Sequence, residues 1–293
     1  MTAPCTAGSR TLLLGTDAPF SSAVFGGLVR AGIDVVAVGV DGEHPFAPLF
    51  SASTHGHRET LASLAKAQGL PFRAIPDVDA PEVREWILGH APDFILVACF
   101  SQVLPEAVCA SAGRDCLNLH PSLLPRYRGP APLFWQLRAR EQASGITLHR
   151  VAPKVDTGPI VGQATVDLAG GLDGAELEER FAAAGARLFL EMLAAQPGAT
   201  GRPQAEVEAS WQPPPSAEDF RIDPGWCAQH AFDFMRGTMH WGQPYPVTVE
   251  GHAFLLRDAL GCESDAELSA AFEQSGDSIR LSCSQGVLHA SMA

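Results

Sequence analysis

The segment that most constrains the fold is 93–100, DFILVACF, in which every residue after the aspartate is apolar. A strand that is apolar along its whole length is buried on both faces, as happens in parallel sheets covered by helices. The start of the chain agrees, because RTLLLG, FSSAVFGGLVRAG and DVVAVGV predict a strand, a helix and a strand. No G-x-G-x-x-G follows the first strand, so the dinucleotide-binding fingerprint is absent. The sequence therefore predicts an α/β fold with a mainly parallel sheet.

The composition changes after residue 196. Residues 197–220 are rich in Pro, Gly and small polar residues, which is typical of a linker. Beyond it, short runs such as YPVTVEG, HAFLLRDAL and VLHASM alternate with turns and predict a small all-β sandwich or barrel. We therefore predict two domains, 1–205 and 206–293.

The charge of the chain limits its partners. The 293 residues carry a net charge of −13, which argues against a large nucleic-acid footprint because phosphates are bound by Lys and Arg. Residues 116–160 differ, with six basic and two acidic residues, and favour either a small anionic ligand or a basic surface helix. Residues 201–293 carry five basic and thirteen acidic residues.

The sequence also indicates a compartment. It has no apolar run of the roughly 18 residues that a membrane helix needs, and its first ten residues do not resemble a secretion signal. Its seven cysteines are scattered, with no Cys or His spacing that is typical of a metal site. We therefore expect free thiols, no metal, no membrane partner and a cytoplasmic protein.

Two polar residues stand at the end of a predicted strand, in LNLHPSLLPRYRGPAP, residues 117–132. Asn118 and His120 are two apart, so in a strand they project from one face, where both can donate to one developing oxyanion. Taken alone, the pair is more typical of a solvated strand end. Asp156 follows in a D-T-G turn, which alone is usually only a turn former. Near His120, its carboxylate would orient the imidazole and assist proton transfer from an attacking amine.

Together, NLHPSLLPRYRGPAP and VDTGPIVGQ resemble the signature of formyltransferases that use 10-formyltetrahydrofolate. The resemblance extends from the first strand to about residue 195. It implies an enzyme with 10-formyltetrahydrofolate as co-substrate, and a Rossmann-like catalytic domain followed by a small OB-like β domain. It also implies that Asn118, His120 and Asp156 form the catalytic triad.

The resemblance implies a folate site as well. In the family the pterin lies against the loop after the strand that precedes the catalytic one, and against the turn that leads to the aspartate. Carried over to this sequence, the expected pterin contacts are Phe100, Ser101, Gln102, Leu104, Cys109, Ala152 and Val155.

The acceptor is less constrained by the sequence. Methionyl-tRNA formyltransferases have a long basic insertion after the second strand, but residues 38–60 contain no Lys and a first Arg only at 58. With the acidic second domain, this favours the amine of a small molecule, such as N-hydroxyornithine, an amino sugar or another metabolite. A nucleotide sugar could be bound by Arg126 or Arg128. Methionyl-tRNA and water, the acceptor of a 10-formyltetrahydrofolate hydrolase, are the alternatives.

Overall fold

The apolar run at 93–100 forms the central strand of a seven-stranded sheet. The structure is a computed structural model, and it describes residues 9–41, 59–168, 170–195 and 201–293. The sheet order is β3-β2-β1-β4-β5-β6-β7, in which β1 to β5 are parallel and β6 and β7 are antiparallel additions. The strands are β1 Thr11–Gly15, β2 Val35–Asp41, β3 Phe72–Ile75, β4 Phe94–Ala98, β5 Asp115–His120, β6 Ala143–Arg150 and β7 Ile160–Asp167.

Helices cover both faces of this sheet, which explains why β1 and β4 are buried along their whole length. The helices are α1 Pro19–Arg30, α2 Leu61–Ala67, α3 Pro81–Gly89, α4 Glu106–Cys109, α5 Pro132–Arg138 and α6 Gly174–Ala194. The longest, α6, begins at a capping box formed by Asp173 and Glu176, and its apolar side packs against α1 and the sheet. The predicted α/β fold with a mainly parallel sheet is confirmed.

A second, entirely antiparallel sheet follows, in the order β10-β11-β12-β9-β8. Its strands are β8 Tyr245–Val249, β9 His252–Glu263, β10 Phe272–Ser275, β11 Ser278–Ser282 and β12 Val287–Met292. The predicted small β domain at the end of the chain is therefore confirmed as well.

The sequence analysis missed two elements of this second part. Helix α7, Ala228–Thr238, packs its buried residues between α5 and β9, and strand β10 extends the sheet by one edge strand. Only four residues long and largely polar, β10 has almost no strand pattern to detect. The boundary between residues 205 and 206 stays a prediction.

Candidate functional site

One strand end and one turn bring the predicted catalytic residues together. Asn118 and His120 lie on β5, at the carboxyl edge where open α/β sheets place their ligands. Across the antiparallel β5–β6 pair, Asn118 lies opposite His149, so these two side chains meet on the same face. Asp156 lies in the turn between β6 and β7.

The carboxylate of Asp156 is the centre of this cluster. Its Oδ2 lies 3.5 Å from His120 Nδ1 and accepts a 2.9 Å hydrogen bond from the N–H of Gly129. Its Oδ1 lies 3.6 Å from His149 Nε2 and 3.4 Å from Asn118 Nδ2. The side chains of Asp156 and the two histidines are at most 8% exposed. The structure therefore brings Asn118, His120 and Asp156 together, and adds His149 to them.

His149 fixes the orientation of the Asn118 amide. Its Nδ1 lies 2.9 Å from the carbonyl oxygen of Arg150, which can only accept, so Nδ1 carries the proton. In the neutral ring Nε2 is then an acceptor, and Asn118 Nδ2 donates to it at 3.1 Å. The second N–H of that amide makes a long contact of 3.4 Å with Asp156. It is therefore the N–H that can donate a hydrogen bond to a substrate oxygen.

Both ring nitrogens of His120 face protein groups, so the prediction that His120 donates to the oxyanion together with Asn118 is not met in this arrangement. Nε2 donates to the carbonyl oxygen of Tyr127 at 2.8 Å, and Nδ1 faces the Asp156 carboxylate at 3.5 Å. With the Nε2 proton held by Tyr127, Nδ1 of the neutral ring has a free lone pair beside a carboxylate. This position suits a group that gains a proton during the reaction, since Asp156 would stabilise the resulting imidazolium.

Burial and charge set the resting protonation states. Burial lowers the pKa of His120 below its ordinary 6.5, although the Asp156 carboxylate opposes this change. Burial by itself would raise the pKa of Asp156, but His120, His149 and the Gly129 N–H hold that pKa well below its usual range. At neutral pH the cluster therefore contains a neutral His120 beside an ionised Asp156.

The loops of the site adopt costly backbone conformations. Asp156 and Tyr127 have φ values of 54° and 58°, in the left-handed region that few residues other than Gly adopt. The D-T-G glycine is required because a Cβ on Gly158 would lie 1.8 Å from the carbonyl oxygen of Arg150. Gly129 has a φ of 113°, and a Cβ there would lie 2.2 Å from the carbonyl oxygen of Gln212.

Two of the expected pterin contacts have their side chains already engaged. Asp41, at the end of β2, accepts hydrogen bonds from the N–H and the hydroxyl of Ser101 and from Gln102 Nε2 at 2.8 Å. The Gln102 amide also accepts from the N–H of Val78 and donates to the carbonyl of Ile75. Ser101 and Gln102 therefore shape the loop after β4, and their contact with a pterin stays a prediction.

The other expected pterin contacts are mostly apolar surface. Leu104 is buried in the core cluster beneath this loop, and Phe100 and Cys109 are partly exposed and pack against it. Across the site, Ala152 lies beside the Gly158 turn, and Val155 is 43% exposed. Contact between these five residues and a pterin stays a prediction.

The arginines of the basic segment 116–160 are largely engaged by the protein itself. Arg126 pairs with Glu141, and Arg138 donates to backbone carbonyls of the second domain. Arg128 is 4% exposed and donates to Gln204 and Glu206. Arg126 and Arg128 were the two residues expected to bind a nucleotide sugar. Arg128 is not available for that contact in this arrangement.

Sequence reasoning missed two residues of the site, His149 and Gln204. The signal for His149 was an imidazole in the predicted strand GITLHRV, seven residues before Asp156. Gln204 lies in the segment predicted to be a linker, and its Nε2 donates to the carbonyl oxygens of Asp156 and Gly158. No local pattern marks Gln204, because its partners are more than forty residues away.

Within the described ranges, no group of three or more His, Cys, Asp or Glu side chains could hold a metal ion. In the same part of the chain, no helix is both long and apolar enough to cross a membrane.

A comparison with protein families matches residues 53–193 to the formyl transferase family. The methionyl-tRNA formyltransferase of Thiobacillus denitrificans is 32% identical over 73% of this chain and 68% of that enzyme. The same enzyme from Geobacter metallireducens is 29% identical over 96% of this chain and 89% of its own length. Another similar relative, the methionyl-tRNA formyltransferase of Thermus thermophilus, is matched over only 60% of its length.

Solved structures with a similar fold cover both domains. An N-formyltransferase from Helicobacter canadensis, solved with folinic acid and dTDP-3-aminofucose, has a TM-score of 0.67 over 96% of this chain and 98% of that one. Its sequence identity is 16%, so the likeness concerns the fold alone.

Proposed function

This chain belongs to the family of formyltransferases that use 10-formyltetrahydrofolate, and from this premise we propose that its acceptor is the amine of a small molecule. The protein is an enzyme that transfers formyl groups, with 10-formyltetrahydrofolate as co-substrate. The proposed acceptors are N-hydroxyornithine, an amino sugar or another metabolite amine. A cytoplasmic location is part of the proposal, supported by six described cysteines that are free thiols.

The observation that carries the choice of acceptor is the charge of the second domain. Residues 201–293 have five basic and thirteen acidic residues, a net charge of −8. Arg221 pairs with Glu218, and Arg280 pairs with Glu263 and Glu273. An acidic surface, two of whose five arginines pair with its own carboxylates, repels a polyanion such as tRNA. A small amine needs no basic surface.

In the proposed reaction, the co-substrate supplies a formyl carbon that a neutral amine of the acceptor attacks. The free N–H of the Asn118 amide stabilises the negative charge that develops on the formyl oxygen. His120 takes the proton that the amine loses, at Nδ1, and the Asp156 carboxylate stabilises the imidazolium so formed. That imidazolium adds positive charge near the oxyanion and returns the proton to the departing nitrogen of the folate.

The folate would be held by the residues of two segments. Phe100, Leu104 and Cys109 would contact one face of the pterin, and Ala152 and Val155 would lie on the side of the Asp156 turn. Ser101 and Gln102 would act indirectly, by holding the loop after β4 through Asp41. Two side chains in this set, the Ser101 hydroxyl and the Cys109 thiol, could form a covalent bond with the formyl group, and the mechanism uses neither.

A second candidate acceptor is methionyl-tRNA. The relatives favour it, since one methionyl-tRNA formyltransferase is 32% identical to this chain over 73% of the chain. Another is 29% identical over 96% of this chain. The segment 42–58, where those enzymes would carry their basic insertion, lies outside the described residues. The charge of its sequence, without Lys and with one Arg at position 58, supports the small-molecule proposal.

The proposal is tested with a panel of acceptors and 10-formyltetrahydrofolate, measuring tetrahydrofolate release and product mass. The panel contains N-hydroxyornithine, lysine, amino sugar nucleotides and methionyl-tRNA, with a reaction that lacks any amine. A formylated small amine supports the proposal. Product from methionyl-tRNA alone overturns it, and release without an amine identifies a hydrolase.

A further inference from the structure

We infer that Gln204, in the segment between the two domains, is a positioning residue that holds the Asp156 turn against the loop that follows His120. The inference rests on the proposed role of Asp156 in formyl transfer. It assigns part of the candidate catalytic centre to a segment that its sequence presents as a plain linker.

One side-chain amide joins the two loops of the site. Gln204 Nε2 donates to the carbonyl oxygens of Asp156 and Gly158, both at 2.8 Å, and so spans the D-T-G turn. Its Oε1 accepts from the guanidinium of Arg128, at 2.8 Å from Nη2 and 3.2 Å from Nε. Arg128 precedes Gly129, whose N–H binds the Asp156 carboxylate. Both contacts of Gln204 therefore act on the position of that carboxylate.

The Asp156 turn needs such support because Asp156 has a φ of 54°, which its side chain makes unfavourable. A left-handed residue persists when its surroundings determine the conformation. Here the carbonyl of Asp156 is held by Gln204 and its carboxylate by Gly129. Without Gln204, the hydrogen bond to the carbonyl oxygen of Asp156 is lost. The Asp156 carboxylate can then move away from His120 Nδ1.

The segment that carries Gln204 is anchored on both sides of that residue. Arg202 exchanges two backbone hydrogen bonds with Ile160, at 2.7 and 2.8 Å. Further along, the N–H of Arg128 donates to the carbonyl of Ser210, and the N–H of Gln212 donates to the carbonyl of Arg128. The segment therefore stays in place when one side chain is removed, which makes Gln204 a clean position for substitution.

Two variants separate the contacts of this residue. Gln204→Ala removes all of them, although Arg128 keeps its ion pair with Glu206 at 2.7 Å. Gln204→Glu keeps oxygen atoms for Arg128, but an ionised carboxylate cannot donate to the two turn carbonyls. Gln142→Ala, at an exposed glutamine whose Nε2 donates to the carbonyl of Arg140, is the matched control.

Both Gln204 variants are expected to lower kcat for formyl transfer by at least about tenfold, because small misplacements of a catalytic group are costly. The KM for 10-formyltetrahydrofolate and the Tm are expected to stay near the wild-type values. In an Asp156→Asn background, Gln204→Ala is expected to cause no further loss, since it acts through Asp156. If Gln204→Ala lowers kcat by the same factor in the Asp156→Asn background as in the wild type, the inference is overturned. It is also overturned if the Gln204 variants change kcat, KM and Tm to the same extent.

A second readout does not depend on turnover. The groups that face His120 are Asp156 at Nδ1 and His149 on the neighbouring strand, with ring centroids 6.3 Å apart. Since the Asp156 carboxylate raises the pKa of His120, a carboxylate released by Gln204→Ala would let that pKa fall. Nitrogen-15 NMR titration of the histidines, with His120→Asn as the assignment control, measures this. If the pKa of His120 is unchanged in Gln204→Ala, the inference is contradicted, even when no acceptor is turned over. If the pKa of His120 falls but the wild-type protein transfers no formyl group, only the proposed function is contradicted.

Discussion

Asp156 is held by groups from three separate segments: Gly129 after β5, His149 on β6, and Gln204 beyond α6. Each contact is long-range in sequence, so a motif search finds the aspartate without finding what positions it. The carboxylate lies between two histidines. In the neutral rings, His149 Nε2 accepts a hydrogen bond from the Asn118 amide, whereas His120 Nδ1 faces the Asp156 carboxylate. The structure therefore separates the two rings by function, with His149 orienting an amide and His120 ready to accept a proton.

The first prediction concerns the two residues of β5. Asn118→Ala removes the N–H that meets the oxyanion, and His120→Ala removes the proton acceptor. Each is expected to lower kcat at least about a hundredfold, the cost of losing one oxyanion donor or one general base. Steady-state kinetics with the accepted amine measures this.

His90→Ala is the control for this pair of variants. His90 follows α3, meets the Trp86 ring edge-on and takes no part in the site, so its replacement is expected to leave kcat unchanged. Near-wild-type turnover in Asn118→Ala or His120→Ala, with the control intact, would contradict the assignment.

The second prediction concerns pH. His120 must be neutral to accept a proton, and its pKa is lowered by burial, so activity is expected to persist below the ordinary imidazole value of 6.5 and to fall only at lower pH. The Asp156 carboxylate raises that pKa. Asp156→Asn is therefore expected to shift the acid limb of the kcat profile to still lower pH, besides lowering its height. A shift to higher pH in that variant would contradict the assigned ionisation states.

At the scale of elements, the turn between β6 and β7 is the most tightly constrained part of the site. Gly158→Ala would place a Cβ 1.8 Å from the carbonyl of Arg150 and force the turn to move. We expect a loss of about 1–3 kcal/mol in the free energy of unfolding, as for other overpacked sites, together with loss of activity. Urea denaturation measures the first and the formyl-transfer assay the second.

Gly89→Ala is the matched control for this prediction. Gly89 ends α3 in the right-handed region, and a Cβ there would meet nothing within 4 Å. It is expected to be neutral or slightly stabilising, because Ala favours a helix more than Gly. Equal effects of the two substitutions would show that the Gly158 turn is not constrained as described.

The elements themselves were largely predictable, because each has a local signal. The apolar run of β4 indicated a buried parallel strand, and the opening of the chain indicated β1, α1 and β2. Helix α7 was missed because its buried side includes His230 and Thr238, which weaken the apolar pattern. His149 and Gln204 act through contacts between distant segments, and a single sequence carries no signal for such contacts.

At the scale of the whole molecule, an aromatic cluster joins the two domains. Phe134 of α5 is 1% exposed and packs against Phe220, Phe234 and Trp241, with ring centroids 5.0 to 5.3 Å apart. Three of these four rings belong to the second domain. The cluster couples that domain to the helix that follows the catalytic loop.

Phe134→Ala is accordingly expected to destabilise the protein by about 3–5 kcal/mol, the cost of removing a buried phenylalanine. Because its ring packs against both domains, we expect the protein to unfold in a single transition whose midpoint falls as a whole. Calorimetry checks this. Two separate transitions, with only one of them shifted by the substitution, would show that the domains are energetically independent.

An acidic formyltransferase of this kind is expected to act on a small amine rather than on methionyl-tRNA. The most direct test compares kcat/KM for methionyl-tRNA with kcat/KM for the best small amine of the panel, at an ionic strength of about 0.15 M. We expect a formylated small amine and turnover of methionyl-tRNA at or near background, because residues 201–293, which contain the second domain, carry a net charge of −8 and repel phosphates. A higher kcat/KM for methionyl-tRNA would contradict it.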